Sequence, residues 1–344
     1  MNAPSIPPRR GHELFEATRP FARESRLRSW WEVASTLVPL VLVLVAAALV
    51  TDWPWRLLLS LLGSLLMVRS FILFHDFLHG SILVHSRLAR ILLYGVGALL
   101  LVPPRSWRES HNFHHAHVGR IGAPGNDTAP VIITDIGAFP MLSVQEWRRA
   151  TPLQRFLYAL SRHPVTICCA YFSVFLGNIC LGSLFRNPRK HWPSALVFLA
   201  HVTLIGGLWR AFGWSVMLHS YLLPVWIAGA IGAYLFYIQH SFPGVRVFVP
   251  DEWDLFDAAM ETASYLKTGR IIEWFTGCIG YHHVHHINCT IPFYRLREAM
   301  RAIPEFQHPM TTRLRPSEIS GCFHVNLWDP EKRRMVSYRE AMAS

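Results

Sequence analysis

Apolar and polar positions alternate along this chain in long blocks. "VASTLVPLVLVLVAAALV", Val33–Val50, is 18 residues without a charge, long enough for a bilayer-spanning helix. Pro39 inside it is tolerable in a membrane helix. "TDWPW" then reads as a turn with Trp53 and Trp55 at the interface. Arg56–Phe74 returns, with Arg69 near its far end able to snorkel or to face the protein interior. Ile91–Val102 is apolar too, but twelve helical residues rise only about 18 Å, which predicts a re-entrant or interfacial segment. Three more apolar stretches follow: Val165–Phe185, Ser194–Trp209 and Trp214–Ile238. The loop after the first carries Arg186, Arg189 and Lys190, whereas the loop around Arg210–Gly213 carries one charge. The positive-inside rule then keeps the first loop cytoplasmic. The last two stretches become a spanning hairpin, and Val165–Phe185 is expected not to span. The predicted class is all-α: about four spanning helices, interfacial or re-entrant helices, and a cytoplasmic helical cap.

The flanking regions are more polar. Residues 1–32 are mixed in charge, without the basic start of a cleavable signal, and are expected on the cytoplasmic side. Residues 33–241 hold the membrane helices and residues 242–344 a cytoplasmic region. No internal repeat, low-complexity tract or linker divides them, so one domain is expected.

Composition narrows the class. Of 344 residues, 51% are hydrophobic and only 16% charged, against about 25% charged in a soluble domain; the mean hydropathy is +0.24. The net charge of +11 suits cytoplasmic loops on anionic lipid. No Lys/Arg cluster stands apart from the apolar segments, so no nucleic-acid partner is expected. Cys168, Cys169, Cys180, Cys278, Cys289 and Cys322 form no CxxC pair, which suggests neither a zinc site nor a disulfide framework.

The histidines change the picture most. There are 19, and many recur at helical offsets on the side that the topology makes cytoplasmic. His75 and His79 are i, i+4. His111, His114 and His115 are i, i+3, i+4, and His282, His285 and His286 repeat that spacing. His240 ends a spanning stretch. Such offsets share a helix face, so the rings can converge. A structural zinc needs four ligands. Nine candidates from four segments suit two metals that each keep a position open, and a redox-active pair in lipid favours iron with O₂. One HxxxH pair alone would be weak; two HxxHH boxes, an HxxxH and a QH on one side form a joint signal. In "GYHHVHH", Gly280–His286, a helix turning about 100° per residue groups His282, His285 and His286 and leaves His283 off their face. His283 is expected to point away from the metals, toward a second acid or a lipid-facing polar group. His201 and His219 read as packed or hydrogen-bonded residues, and His12, His85, His163, His191 and His308 as surface residues.

"HDFLHGS", "SWRESHNFHHAHVG", "YIQHSF" and "WFTGCIGYHHVHHINCTIPFYRL" together resemble the membrane fatty acid desaturases, in particular the bacterial acyl-lipid type. The resemblance runs from about Phe74 to Leu296, and the third box with Ile291–Leu296 is its most specific part. It implies a di-iron centre at the cytoplasmic face of the bacterial inner membrane. It also implies that O₂ and two supplied electrons remove two hydrogens from an acyl chain. The implied ligands are His75, His79, His111, His114, His115, His240, His282, His285 and His286. Departures from the family pattern lie at Phe77 and Leu78 within the first box, at Cys278, and at Ser241–Pro243; none removes a histidine, and such neighbours are expected on the substrate channel.

Metal-bound imidazoles need acceptors for their other N–H. Asp76, Glu109, Asp127, Asp257, Glu261 and Glu273 are the candidate acids, with His283 beside them; each acid equally suits a surface or capping position, and about two are expected in the orienting role. No His-Pro-Gly-Gly of a fused cytochrome is found, and no cysteine set for an iron–sulfur cluster. A separate donor is therefore expected, a ferredoxin with its reductase. Lys267, Arg270, Arg295, Arg297 and Arg301 suit an acidic carrier or, equally, lipid headgroups. The same machinery could instead insert oxygen, as a hydroxylase, epoxygenase or ketolase. A metal- or haem-carrying membrane protein is the non-enzymatic alternative, but a carrier should place polar groups near the bilayer midplane.

Overall fold

The computed structural model describes residues 9–121 and 139–343. It is 72% helical, as the hydrophobic blocks predict. Among the described residues, four helices are long and apolar enough to cross a membrane: α1 (Arg26–Leu49), α2 (Trp53–His79), α6 (Pro193–Phe212) and α7 (Trp214–His240). Between them, α3 (Arg87–Leu99) and α4 (Pro104–His117) meet at a bend of 86°. The bend follows from Leu101 in a left-handed conformation and from Pro103–Pro104, which stop one helix and start the next. α5 (Tyr171–Arg186) is a shorter apolar helix, wound in the wider π form over Tyr171–Gly182. A break at Cys169 separates it from Pro164–Cys168, so Val165–Phe185 is not one long helix.

α2 is the central helix, packed between α1 and α7, with α3 on its flank. At about 1.5 Å per residue its 27 residues reach roughly 40 Å, more than a bilayer core. Its last turns therefore emerge on the side where the cap sits, carrying His75 and His79. Gly80, at φ 77°, ends it with a left-handed cap that accepts no side-chain penalty.

The first helix begins at Arg26, earlier than the uncharged run at Val33, and the acidic residue within it is paired. Glu32 is buried and pairs with Arg69 of α2 and with Arg28. Arg69 faces the interior; it donates to Thr36 Oγ1 and to the Trp274 carbonyl and lies 4.1 Å above the Trp274 ring. One buried ion pair thus ties α1, α2 and the cap together.

The cap is helical with two small sheets. β2 (Tyr265–Lys267) runs parallel to β3 (Thr311–Arg313), with Tyr265 opposite Thr311. β1 (Leu142–Ser143) pairs in parallel with β4 (Leu327–Asp329), which pairs antiparallel with β5 (Arg334–Val336). Two short cap helices bear on the site: α8 (Arg270–Phe275) and α9 (His282–Ile287). Between them Gly277 adopts φ 53°, and a methyl group there would stand 2.6 Å from Ile72 Cγ2. Only glycine lets the chain turn this close to α2, and that approach seats the third box against the first.

Candidate metal centre

Four elements deliver the clustered histidines. α2 ends with His75 and His79, α4 presents His111, His114 and His115, α7 ends with His240, and α9 carries His282, His285 and His286. The structure sorts all nine into two groups. In one, His75, His79, His111, His115 and His285 bring one ring nitrogen each within 4.8 Å of one another; in the other, His114, His240, His282 and His286 do the same.

Helical geometry explains the division. Residues i and i+4 differ by about 40° and point one above the other, whereas i+3 and i+4 diverge by about 100°. Hence His75 pairs with His79, His111 with His115, and His282 with His286. The i+3 member of each HxxHH box reaches across: His114 joins the α9 pair, and His285 joins the α2 and α4 pairs.

The second group shows most clearly what such an array suits. Its Nε2 atoms close a ring: His114 to His240 3.1 Å, His240 to His282 2.9 Å, His282 to His286 3.1 Å, and His286 to His114 3.3 Å. Edges of that size put each nitrogen at about the 2 Å that a metal–imidazole bond needs from a common centre. In the first group Nε2 of His111 lies 3.1 Å from those of His75 and His115, and His115 lies 3.1 Å from His285. Two tautomers are fixed from outside. His75 Nδ1–H donates to Asp76 Oδ1 at 3.0 Å, and His240 Nδ1–H donates to the Thr262 carbonyl at 3.0 Å. Both leave the Nε2 lone pair facing the group, the form that binds metal.

Burial keeps these rings neutral. In α9, burial first and the neighbouring imidazoles second hold His282, His285 and His286 well below the ordinary histidine range. Among the nine, Nδ1 of His114, His282, His285 and His286 and Nε2 of His79 are buried without a hydrogen-bond partner among the described residues. His283 is also fully buried but belongs to neither group. Its Nε2 faces the Phe306 carbonyl at 3.3 Å, not an acid and not a lipid-facing group, and burial lowers its pKa to about 4.

The candidate acids separate. Asp76 is buried and does two things: Oδ1 accepts from His75, and Oδ2 accepts from the Phe293 amide at 2.7 Å. It thereby links the first box to the Ile291–Leu296 segment. Glu273 is buried but pairs with Arg297 and accepts from the Tyr281 hydroxyl at 3.2 Å; it steadies the residue before His282 and touches no ring of the nine. Glu109 turns outward to Lys190 and Arg105, and Glu261 pairs with Arg246 at the surface. Asp257 sits half-buried in the first turn of Leu255–Thr262, without a hydrogen bond to a ligand-candidate ring among the described residues. Asp127 lies outside the described residues. Of the remaining histidines, His12, His85, His163 and His308 are exposed. His191 is not: its side chain is 12% exposed, turned toward Glu109. His219 bonds the Ser215 carbonyl.

Trp107 stands inside the quoted SWRESHNFHHAHVG stretch but was not among the candidate site residues. It stacks on His111 with centroids 4.2 Å apart, and its ring also lies against His75. It is the i−4 neighbour of His111, and an aromatic one turn before a histidine box is the only sequence signal it offers.

A cavity of about 290 Å³ opens onto both groups, bounded by His75 and His111 of the first and His282 of the second. Elsewhere its wall is mostly apolar, with Phe71, Trp107, Phe175 and Phe236 prominent, and among the described residues it carries no Lys, Arg, Asp or Glu. Phe77, Leu78, Ser241, Phe242, Pro243 and Cys278 are not on this wall. Phe77, for instance, faces α3 against Tyr94. The departures from the family pattern therefore lie off the wall of this cavity, contrary to the expectation that they line it.

Helices able to cross a membrane, two converging histidine groups at their ends and an apolar cavity between define a membrane oxidoreductase of the histidine-box class. The profile of the Fatty acid desaturase family matches residues 51–316. A fatty acid desaturase of Bacillus subtilis (strain 168) is 30% identical over 95% of this chain and 90% of its own length. An sn-1 acyl-lipid omega-3 desaturase (ferredoxin) of Synechocystis is 27% identical over 75% of this chain and 69% of its own. A Delta(12)-fatty-acid desaturase of Arabidopsis thaliana is 26% identical over 60% of this chain and 55% of its own. The chain belongs to the fatty acid desaturase family, and it is an oxidoreductase of that kind.

Proposed function

We propose that the protein is an acyl-lipid desaturase in which His75, His79, His111, His115 and His285 hold one iron and His114, His240, His282 and His286 the other. The observation that carries this reading is the cavity bounded by members of both groups. A saturated –CH₂–CH₂– unit, O₂, two electrons and two protons become –CH=CH– and two water molecules. An iron pair held by these histidines would supply the oxidant for C–H bonds that no side chain could cleave by acid–base chemistry.

The chain's own residues do the rest. Asp76 and the Thr262 carbonyl keep His75 and His240 in the tautomer that presents Nε2. Trp107 holds the plane of His111 and forms part of the wall beside it. Phe71, Phe175 and Phe236 exclude water from the acyl chain and hold it against the histidines. The uncharged wall favours an acyl tail, while the phosphate or other charged headgroup stays at the membrane surface.

The relatives named for ferredoxin support a ferredoxin as the external donor. Arg295 and Arg297 are already engaged, with Glu298 and Glu273. Lys267, Arg270 and Arg301 remain exposed for an acidic carrier. The basic Arg186–Lys190 loop supports a cytoplasmic orientation of the centre under the positive-inside rule, and the bacterial relatives support the inner membrane as its place; on a cysteine-free background, Arg186→Cys should label from the cytoplasm and Arg210→Cys from outside. The activity is tested by lipid analysis after expression in a host that has saturated and monounsaturated acyl chains but lacks the modified ones. New double bonds are expected. Hydroxyl, epoxide or keto products would assign the site to oxygen insertion instead, and unchanged lipids despite bound iron and a working ferredoxin would contradict the reading.

A further inference from the structure

The cavity beside the histidines has an apolar space behind it. A second cavity of about 30 Å³, roughly the volume of one water, lies between α2, α5 and α7. Such a space, apolar on nearly all sides, stays dry. Val68, Phe71, Phe175 and Gly232 line both cavities, so they form the partition between them.

The two spaces are arranged in series. Along α2, the large cavity touches His75, Ile72, Phe71 and Val68, and the small one continues to Met67. Along α7, the large cavity runs from Gln239 to Gly232, and the small one from Gly232 to Val225. Seven residues of helix are about 10 Å. The small cavity therefore lies one to two turns farther from the histidines, in the direction of the membrane interior.

Phe175 stands at the junction. A methyl group built on Gly229 would lie 3.4 Å from Phe175 Cδ2, and one on Gly232 would lie 3.8 Å from Phe175 Cζ. The ring thus lies along the strip of α7 that these two glycines leave bare. Its backbone is held one turn earlier. The Tyr171 hydroxyl meets His201 Nε2 at 2.6 Å, His201 Nδ1 meets the Tyr221 hydroxyl at 2.5 Å, and that hydroxyl donates to the Leu99 carbonyl at 2.8 Å. In an apolar surrounding, breaking this network would leave polar atoms unpaired, so the π-wound turn carrying Phe175 has no easy way to withdraw.

We propose that Phe175 is the stop against which the methyl end of the acyl chain rests, and that the space behind it is an extension subsite closed by that ring. This rests on the acyl-lipid reading above. Phe175→Ala joins the two cavities along the glycine strip and admits longer chains. Gly232→Val narrows the junction from the other side, its Cβ at ordinary contact distance, 3.8 Å from Phe175 Cζ, and excludes chains that wild type accepts. Burial of each added methylene favours binding about fourfold, so two more carbons shift the preference of Phe175→Ala by on the order of tenfold.

The test uses purified, iron-loaded protein reconstituted with saturated and with monounsaturated diacylphosphatidylcholines of stepped chain length and a ferredoxin system. Product per chain length is read by mass spectrometry, with the thermal midpoint in each lipid as a second readout. Expected are opposite shifts, longer for Phe175→Ala and shorter for Gly232→Val, with iron content equal to wild type. Phe175→Leu, a smaller change, replaces Phe175→Ala if that variant fails to fold. Length profiles of both variants coinciding with wild type at equal iron content overturn the stop. No product from wild type itself sinks the acyl-lipid reading instead and is recognised by that control.

Discussion

The second and third histidine boxes have the same spacing, yet the structure uses them in opposite ways. On α4 the i, i+4 pair, His111 and His115, faces the five-histidine group, and His114 crosses to the other. On α9 the i, i+4 pair, His282 and His286, faces the four-histidine group, and His285 crosses back. Each box therefore contributes to both groups, and neither group can form from one box alone. The two groups also differ in support. The five-membered one has a carboxylate, Asp76, behind His75; the four-membered one has a backbone carbonyl behind His240 and no histidine to spare. An HxxHH box on a helix is thus a device for bridging two sites.

The largest effect that this comparison predicts is complete loss of product. His79→Ala and His285→Ala act on one group and His114→Ala on the other, and all three should abolish turnover and lower bound iron; full activity in any one removes that box from the centre. The next effect separates the groups. His286→Asn leaves three ligands and His285→Asn leaves four, so metal analysis of the purified variants should find the deeper iron loss in His286→Asn; the reverse order breaks the partition. Asp76→Asn should weaken iron binding by about 10–100-fold, read by chelator competition, because the ring of His75 loses its anionic partner while the histidines stay in place. The smallest effect belongs to His283→Asn. Its ring serves the Phe306 carbonyl, so iron should match wild type with only partial loss of activity; loss equal to that of His286→Asn would make it a ligand.

Much of this was legible in the sequence, and for a physical reason. Histidine offsets report which rings share a helix face, and uncharged runs report bilayer-length helices; both are local properties. The off-face position of His283 followed from the same angular arithmetic. What was not legible depended on tertiary neighbours. The uncharged run gave Val33 as the start of the first apolar stretch, but the helix extends back past Glu32, which Arg69 pairs; Glu109, one of six candidate acids, is taken up by Lys190 and Arg105. The exchange of His114 and His285 between groups needs the relative placement of α4 and α9. Phe175 gave no motif at all, since its position follows from a π-wound turn packed on two glycines of a helix more than fifty residues away.

The central claim is that nine histidines hold two metal ions, five around one and four around the other. The iron-to-polypeptide ratio of the purified, active protein tests it most directly. The account predicts two irons per chain. A ratio of one at full activity, or activity in a chain carrying no iron, would contradict it.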